Sequence, residues 1–268
     1  MVRSMVGDGI YYPADPVELR RSLQTAFRTN ETVGYNAGVV VAPYGAYRHS
    51  LSYLVSSLKA TGPTRPKLVV LLAPSCADDA AGVLLPESDS FETPFGELPV
   101  ATDLLDVLVR SSRHFLPDEI AHLRNHTLEV LLPAIQYHYG TVPIVPLLVT
   151  HLGIEQLAPI TDALSMIREK VPTQIIVGAN LSSFTTPTEA DAEARKFIRL
   201  VMTAPGRNII DTISMLERPP RSTWPLAIGH VLAGHYARPH VLSRGSFDTE
   251  YEGAVGTVVF SSIAYITN

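Results

Sequence analysis

The chain has 268 residues, 46% of them hydrophobic, enough to bury a full core within one α/β domain spanning residues 1–268. With 18% charged residues and a net charge of -5 it offers no basic field for a phosphate backbone, which argues against nucleic acid as a partner and leaves a small molecule or another protein. One cysteine excludes an internal disulfide and any cysteine-cluster metal site, and it fits a reducing compartment, so a cytoplasmic location is the expectation.

The opening MVRSMVGDGIYYPADP holds no apolar core of signal-peptide length, and no later stretch approaches the roughly 18 apolar residues of a membrane span, so no membrane partner is expected. Three N-x-[ST] matches, at Asn30, Asn125 and Asn180, carry no weight without a secretory signal. The first apolar run, AGVVVAP (37–43), is too continuous for a half-exposed strand and reads as one buried on both faces. A helical pattern follows at 50–62, then a second buried strand at 67–74, and helical patterns at 101–112 and 127–140. Strand 142–150, helix 155–170 and strand 173–180 continue the series. Thr186 as N-cap, Pro187 at N1 and Glu189 at N3 announce another helix through a capping box. Residues 220–236 read as helical after Pro225, and the end of the chain alternates as two late strands joined by a loop.

Strand alternating with helix predicts an α/β fold: a single domain with a central mixed, largely parallel sheet flanked by helices. In such sheets ligands collect beyond the carboxyl ends of the strands, which here read PYGAYRHS, PSCADD, THLG and ANLSSF. Cys76 thus stands where the floor of a pocket is expected.

Five segments carry a resemblance: GIYYPADPVELRRSL; PYGAYRHS; APSCADDAAG with TPFGELPV after it; NHTLEVLLPAI followed by VPIVPLLV; and GANLSSF. In order and spacing they resemble the MEMO family, whose prokaryotic members are often labelled AmmeMemoRadiSam system protein B and whose fold is related to class III extradiol ring-cleavage dioxygenases. The resemblance covers nearly the whole chain and implies that dioxygenase-like fold. It also marks departures. The family's P-H-A-G-Y stands here as Pro43, Tyr44, Gly45, Ala46 and Tyr47, and its G-P-S-H as Ala73, Pro74, Ser75 and Cys76, so two pocket histidines become Tyr44 and Cys76. S-S-D-F-S-H becomes GANLSS, placing Asn180 for the aspartate and Ser183 for the histidine, and the family cysteine four residues before a proline aligns with Arg221, given Pro225. E-H-S-L-E survives as Asn125, His126, Thr127, Leu128 and Glu129. Non-haem iron in the related dioxygenases needs two imidazoles and a carboxylate. The resemblance therefore implies a dismantled metal site, no cofactor, and a pseudoenzyme rather than an extradiol dioxygenase.

Two accounts stand for each candidate residue. His126 and Glu129, three apart, would share one face of a helix and serve as acid and base or half a metal site; the plainer account is a helix N-terminus with Glu129 favoured by the macrodipole. Cys76 is either a nucleophile, its thiolate favoured by Arg221, or a small apolar filler. Tyr44 and Tyr47 bind a ligand or plug a former cavity, and Arg48 with His49 receives an anion or simply begins a helix. Asn180 and Ser183 can hydrogen-bond but neither is a strong base. His230 and His235, five apart, lie about 140 degrees from each other on an ideal helix and make no common metal face. His138, His151 and His240 have no evident partners.

The expected function is accordingly a binding or assembly protein, with a second copy or a paralogous subunit as partner and a small-molecule ligand in the pocket. The alternatives are an enzyme with rebuilt chemistry on Cys76, His126 and Glu129, with Tyr44, Arg48, Asn180, Ser183 and Arg221 as ligand contacts, or a metal-dependent oxygenase-type redox enzyme drawing its ligands from elsewhere.

Overall fold

The computed structural model describes residues 1–76, 81–182, 186–204, 209, 211, 220–251 and 254–267. Four apolar runs form the centre: β2 (Val39–Ala42), β3 (Leu68–Pro74), β8 (Ile144–Val149) and β9 (Thr173–Gly178). Nearly every residue in them is buried, as strands covered on both faces must be. They pair in parallel, β2 with β9, β9 with β3 and β3 with β8, so their carboxyl ends form one continuous rim.

The other strands of this eight-stranded sheet are β4 (Val83–Leu85), β7 (Phe115–Pro117), β10 (Ala237–Tyr251) and β11 (Ala254–Thr267), in the order β10-β11-β2-β9-β3-β8-β4-β7. β10 with β11, β11 with β2 and β4 with β8 are antiparallel, which makes the sheet mixed. A smaller sheet joins β1 (Val2–Arg3) to β5 (Ser90–Thr93) and β6 (Gly96–Pro99).

Helices α1 (Pro16–Thr29), α2 (Tyr47–Ala60) and α5 (Leu132–Tyr139) pack on one another. A second group contains α3 (Thr102–Ser111), α6 (Ile154–Lys170) and α8 (Thr223–Ala233), with α7 (Pro187–Thr203) against β10 and β11; α4 (Glu119–Leu123) lies beside β4. α8 crosses β9 closely because Gly229 has no side chain: a Cβ there would stand 2.4 Å from Val177 Cγ2. That contact brings the first turn of α8 to the rim.

The capping box at Thr186 is present as read, with the Glu189 N–H donating to the Thr186 hydroxyl and the Glu189 carboxylate returning to the Thr186 N–H. Two readings change. The single helix expected over 127–140 is instead a turn, a 3-10 turn at Glu129–Leu131 and then α5, because the Asn125 side chain folds back onto Thr127 N–H (2.8 Å) and holds the chain out of helical register. α8 starts two residues before Pro225 rather than after it. Among the described residues no helix is long and apolar enough to cross a membrane.

Candidate functional site

Each central strand delivers a polar side chain to the rim one or two residues after its last buried position. β2 leads to Tyr44, β9 to Asn180, β3 to Cys76 and β8 to His151. The Asn180 side-chain amide donates to the Tyr44 carbonyl (2.9 Å), and its backbone N–H donates to Ser222 Oγ (3.1 Å), just before α8. Three separate elements are thereby latched at one point.

Burial pushes the Tyr44 phenol up to about 12, with the Cys76 sulfur and Tyr11 adding to the rise and the Ser222 side chain and the Arg221 guanidinium opposing it. Tyr44 is a neutral phenol at physiological pH. Cys76 and Arg221 both bear on it electrostatically. Cys76 itself is exposed. Asn180 Oδ1 is buried and has no hydrogen-bond partner among the described residues. Ser183 lies outside the described residues.

His126 reaches the rim by a different route. Thr127 Oγ1 and Asn125 Nδ2 both donate to the carbonyl of Pro74, the last residue of β3, at 3.0 and 3.3 Å. The segment is pinned onto the strand tip, and the His126 ring stacks on Tyr11 with centroids 4.4 Å apart and planes 11° from parallel. Burial lowers the His126 pKa, assisted by the Arg3 charge and opposed by Glu129. Burial raises that of Tyr11, with Cys76 and then Glu129 contributing.

Glu129 is placed otherwise than a shared helix face would have it. Its side chain is 1% exposed and its carboxylate accepts from Arg3 Nη1 (2.7 Å), Val6 N–H (2.9 Å), Gly7 N–H (2.7 Å) and the Tyr12 hydroxyl (2.6 Å). Arg3, equally buried, also donates to the carbonyls of His122 (2.8 Å) and Asn125 (2.7 Å) and lies 5.0 Å from the Phe91 ring centroid. With these donors around it Glu129 has no room for a metal or a substrate proton; it clamps the N-terminal segment, and that segment carries Tyr11. The Tyr11 carbonyl accepts from Tyr47 N–H (2.7 Å) at the start of α2, which closes the loop.

Arg48 also stands apart. It is exposed, its Nε bonds to His49 Nε2 (2.9 Å), and it borders a cleft of about 590 Å³ between residues 9–15 and the first turn of α2, which Tyr11 also lines. Tyr47 is buried, its hydroxyl donating to the Val130 carbonyl (2.9 Å).

Sequence reasoning did not single out Tyr11, Ser222, Trp224 or a partner for His151. Trp224 Nε1 donates to His151 Nδ1 (3.3 Å) with the rings edge to face, linking the first turn of α8 to the end of β8. The signals were present in GIYYP and in the lone tryptophan of PRSTWP, but a tyrosine pair and a helix start do not announce a rim position without the fold.

The iron of the related dioxygenases requires imidazoles and a carboxylate with open coordination positions. The described residues do not fit it: Tyr44 keeps its proton, Asn180 is an amide, Glu129 is already surrounded by donors, and no group of three or more His, Cys, Asp or Glu is placed to hold a metal ion among them.

The Memo-like protein family model matches residues 3–217, ending just before Arg221. A MEMO1 family protein of Methanothermobacter thermautotrophicus is 28% identical over 230 residues, covering 81% of this chain and 82% of its own. One from Methanopyrus kandleri is 26% identical over 227 residues, covering 80% of each chain. Among solved structures, an uncharacterized protein from Escherichia coli K12 matches 84% of this chain and 98% of its own with a TM-score of 0.57 and 13% identity, which speaks for the fold alone. With the fold, its rim and these matches together, the chain belongs to the Memo-like protein family.

Proposed function

We propose that this chain is a member of the family whose metal site has been dismantled and whose remaining role is to bind a small polar ligand or to support an assembly, with no metal chemistry of its own. The observation that carries this reading is the state of Glu129: the carboxylate of the best-preserved motif is enclosed by Arg3, Val6, Gly7 and Tyr12. Around it the rim offers groups that hold rather than react. Arg221 can receive an anionic group, Asn180 Oδ1 can accept from a ligand N–H or O–H, and Tyr44 is a neutral donor.

The test is metal analysis of purified protein after incubation with excess ferrous or cupric ion and desalting. The expected result is far less than one equivalent of either metal. One tightly held equivalent per chain overturns the reading.

A second reading, an enzyme with rebuilt chemistry, draws support from Cys76 bearing electrostatically on both Tyr44 and Tyr11, with His126 stacked on Tyr11. In it Cys76 is the nucleophile and His126, neutral by burial, the base. Alkylation kinetics decide: a Cys76 that reacts at neutral pH no faster than a free thiol removes this alternative.

A further inference from the structure

The outer edge of β10 is the edge of the whole large sheet, and its two halves are built differently. The orientation of its backbone follows from β11. Leu181 N–H donates to the Val259 carbonyl (3.1 Å), and Val259 N–H donates to Ser182 Oγ (3.0 Å), so both polar groups of Val259 turn away from β10. Ser246, opposite Val259, is then in a non-hydrogen-bonded pair and turns its own N–H and C=O outward; by alternation Arg244 and Asp248 do the same. Tyr265, six residues on from Val259, shares its orientation, so Pro239 opposite it also faces outward, where it has no N–H to offer.

The first half of β10 therefore carries two devices that discourage pairing, Pro239 and the register shift between Val241 and Ser243. The second half carries neither. Among the described residues no backbone hydrogen bond reaches the edge at Arg244, Ser246 or Asp248.

We infer that residues 244–248 of β10 pair antiparallel with the same residues of a second copy, about a two-fold axis through Ser246, continuing one sheet into the other. The sequence Arg-Gly-Ser-Phe-Asp is complementary to itself in this register. Arg244 falls opposite the second copy's Asp248 twice over, and Ser246 opposite Ser246. All of these residues present outward N–H and C=O groups, so the three pairs form about six backbone hydrogen bonds. Gly245 falls opposite Phe247 in the close, non-hydrogen-bonded pairs, with the Phe247 ring stacked on His49 of its own chain at 4.2 Å between centroids. Slipping the register by one residue would set outward backbone groups against inward ones and lose every bond. Both charged residues have internal partners that hold them in place, Arg244 on Asp191 of α7 and Asp248 on the Thr257 hydroxyl (2.6 Å), while Arg244 stays 26% exposed and Asp248 exposed.

Sedimentation velocity over a range of concentrations tests this with the full chain and two variants at the exposed axis residue, Ser246→Lys and Ser246→Glu. The wild type is expected to form dimers. Each variant alone sets like charges opposite each other and raises the dissociation constant about tenfold or more, and an equimolar mixture of the two regains the dimer. The mixture separates a broken interface from a broken fold, since misfolded chains do not restore one another. A wild type that stays monomeric throughout overturns the inference, as do dimers that persist unchanged in both variants, or a mixture that fails to reassociate.

Discussion

Glu129 and Asn180 both come from segments that resemble the family's motifs, and the fold uses them in opposite ways. Around Glu129 every charge has an answer: Arg3 is its counter-ion, two backbone N–H groups and a tyrosine hydroxyl complete its shell, and both charged side chains are 1% exposed. At the rim, Asn180 Oδ1 is buried without a partner among the described residues, Cys76 is exposed, and Cys76 and Arg221 bear electrostatically on the Tyr44 phenol. A saturated buried cluster is rigid and chemically silent, because any added ligand would have to displace a bond already made. An unsaturated rim is where binding can still lower the free energy. The polarity of a motif residue therefore says little about its role until its hydrogen bonds have been assigned.

If the clamp is structural, removing its anion has the largest effect. Glu129→Ala leaves the Arg3 guanidinium buried without a counter-ion and is expected to destabilise the protein by about 3–5 kcal/mol, read from urea denaturation. The same variant frees the segment that holds Tyr11 against His126, so the His126 resonances should broaden or shift. A Glu129→Ala variant of wild-type stability would place the carboxylate's work at the rim after all.

Acid should weaken the clamp side. His122, whose carbonyl accepts from Arg3, is 1% exposed, and burial lowers its pKa to about 4, with the bond to the Leu84 carbonyl opposing the fall. An ordinary histidine in the unfolded chain titrates near 6.5, so between about pH 6.5 and 4 the unfolded state binds the extra proton, and stability falls as pH drops through that window. The full effect from this one group is about 3 kcal/mol. His122→Gln is expected to flatten the slope of stability against pH by about one proton, whatever it does to the stability at pH 7.

How much of this was legible beforehand follows from how local each signal is. The four central strands were readable because burial on both faces writes a continuous apolar run. The helix at Thr186 was readable because its cap lies within four residues. The short strands β4 and β7 and the small sheet of β1, β5 and β6 were not, since two to four residues carry no periodicity of their own and owe their form to partners far along the chain. The rim positions Tyr44 and Cys76 were found because a strand end fixes them in sequence. Tyr11 was missed because it arrives through a loop anchored by Glu129, 122 residues away from Gly7. The clamp itself was invisible for that reason, and Glu129 stayed between two readings, a reactive partner of His126 or a helix-start residue.

On the rim side the expected effects are smaller. Tyr11→Ala removes a stacked ring and is expected to cost about 1 kcal/mol. Its sharper readout is the His126 pKa, which burial now depresses and which should rise toward the ordinary value as water reaches the ring, measured by NMR titration. An unchanged His126 pKa would mean that some other contact sets its burial.

Cys76→Ser should do least of all to stability, within about 0.5 kcal/mol, because the side chain is exposed and no buried volume is lost. The contrast with Glu129→Ala is the sharpest form of the comparison: one substitution, at a motif glutamate, unravels packing, and the other, at the tip of a fully buried strand, leaves it intact. A large loss from Cys76→Ser would mean that the thiol is part of the core. The rim would then be a second structural cluster, with binding placed instead in the cleft beside Arg48.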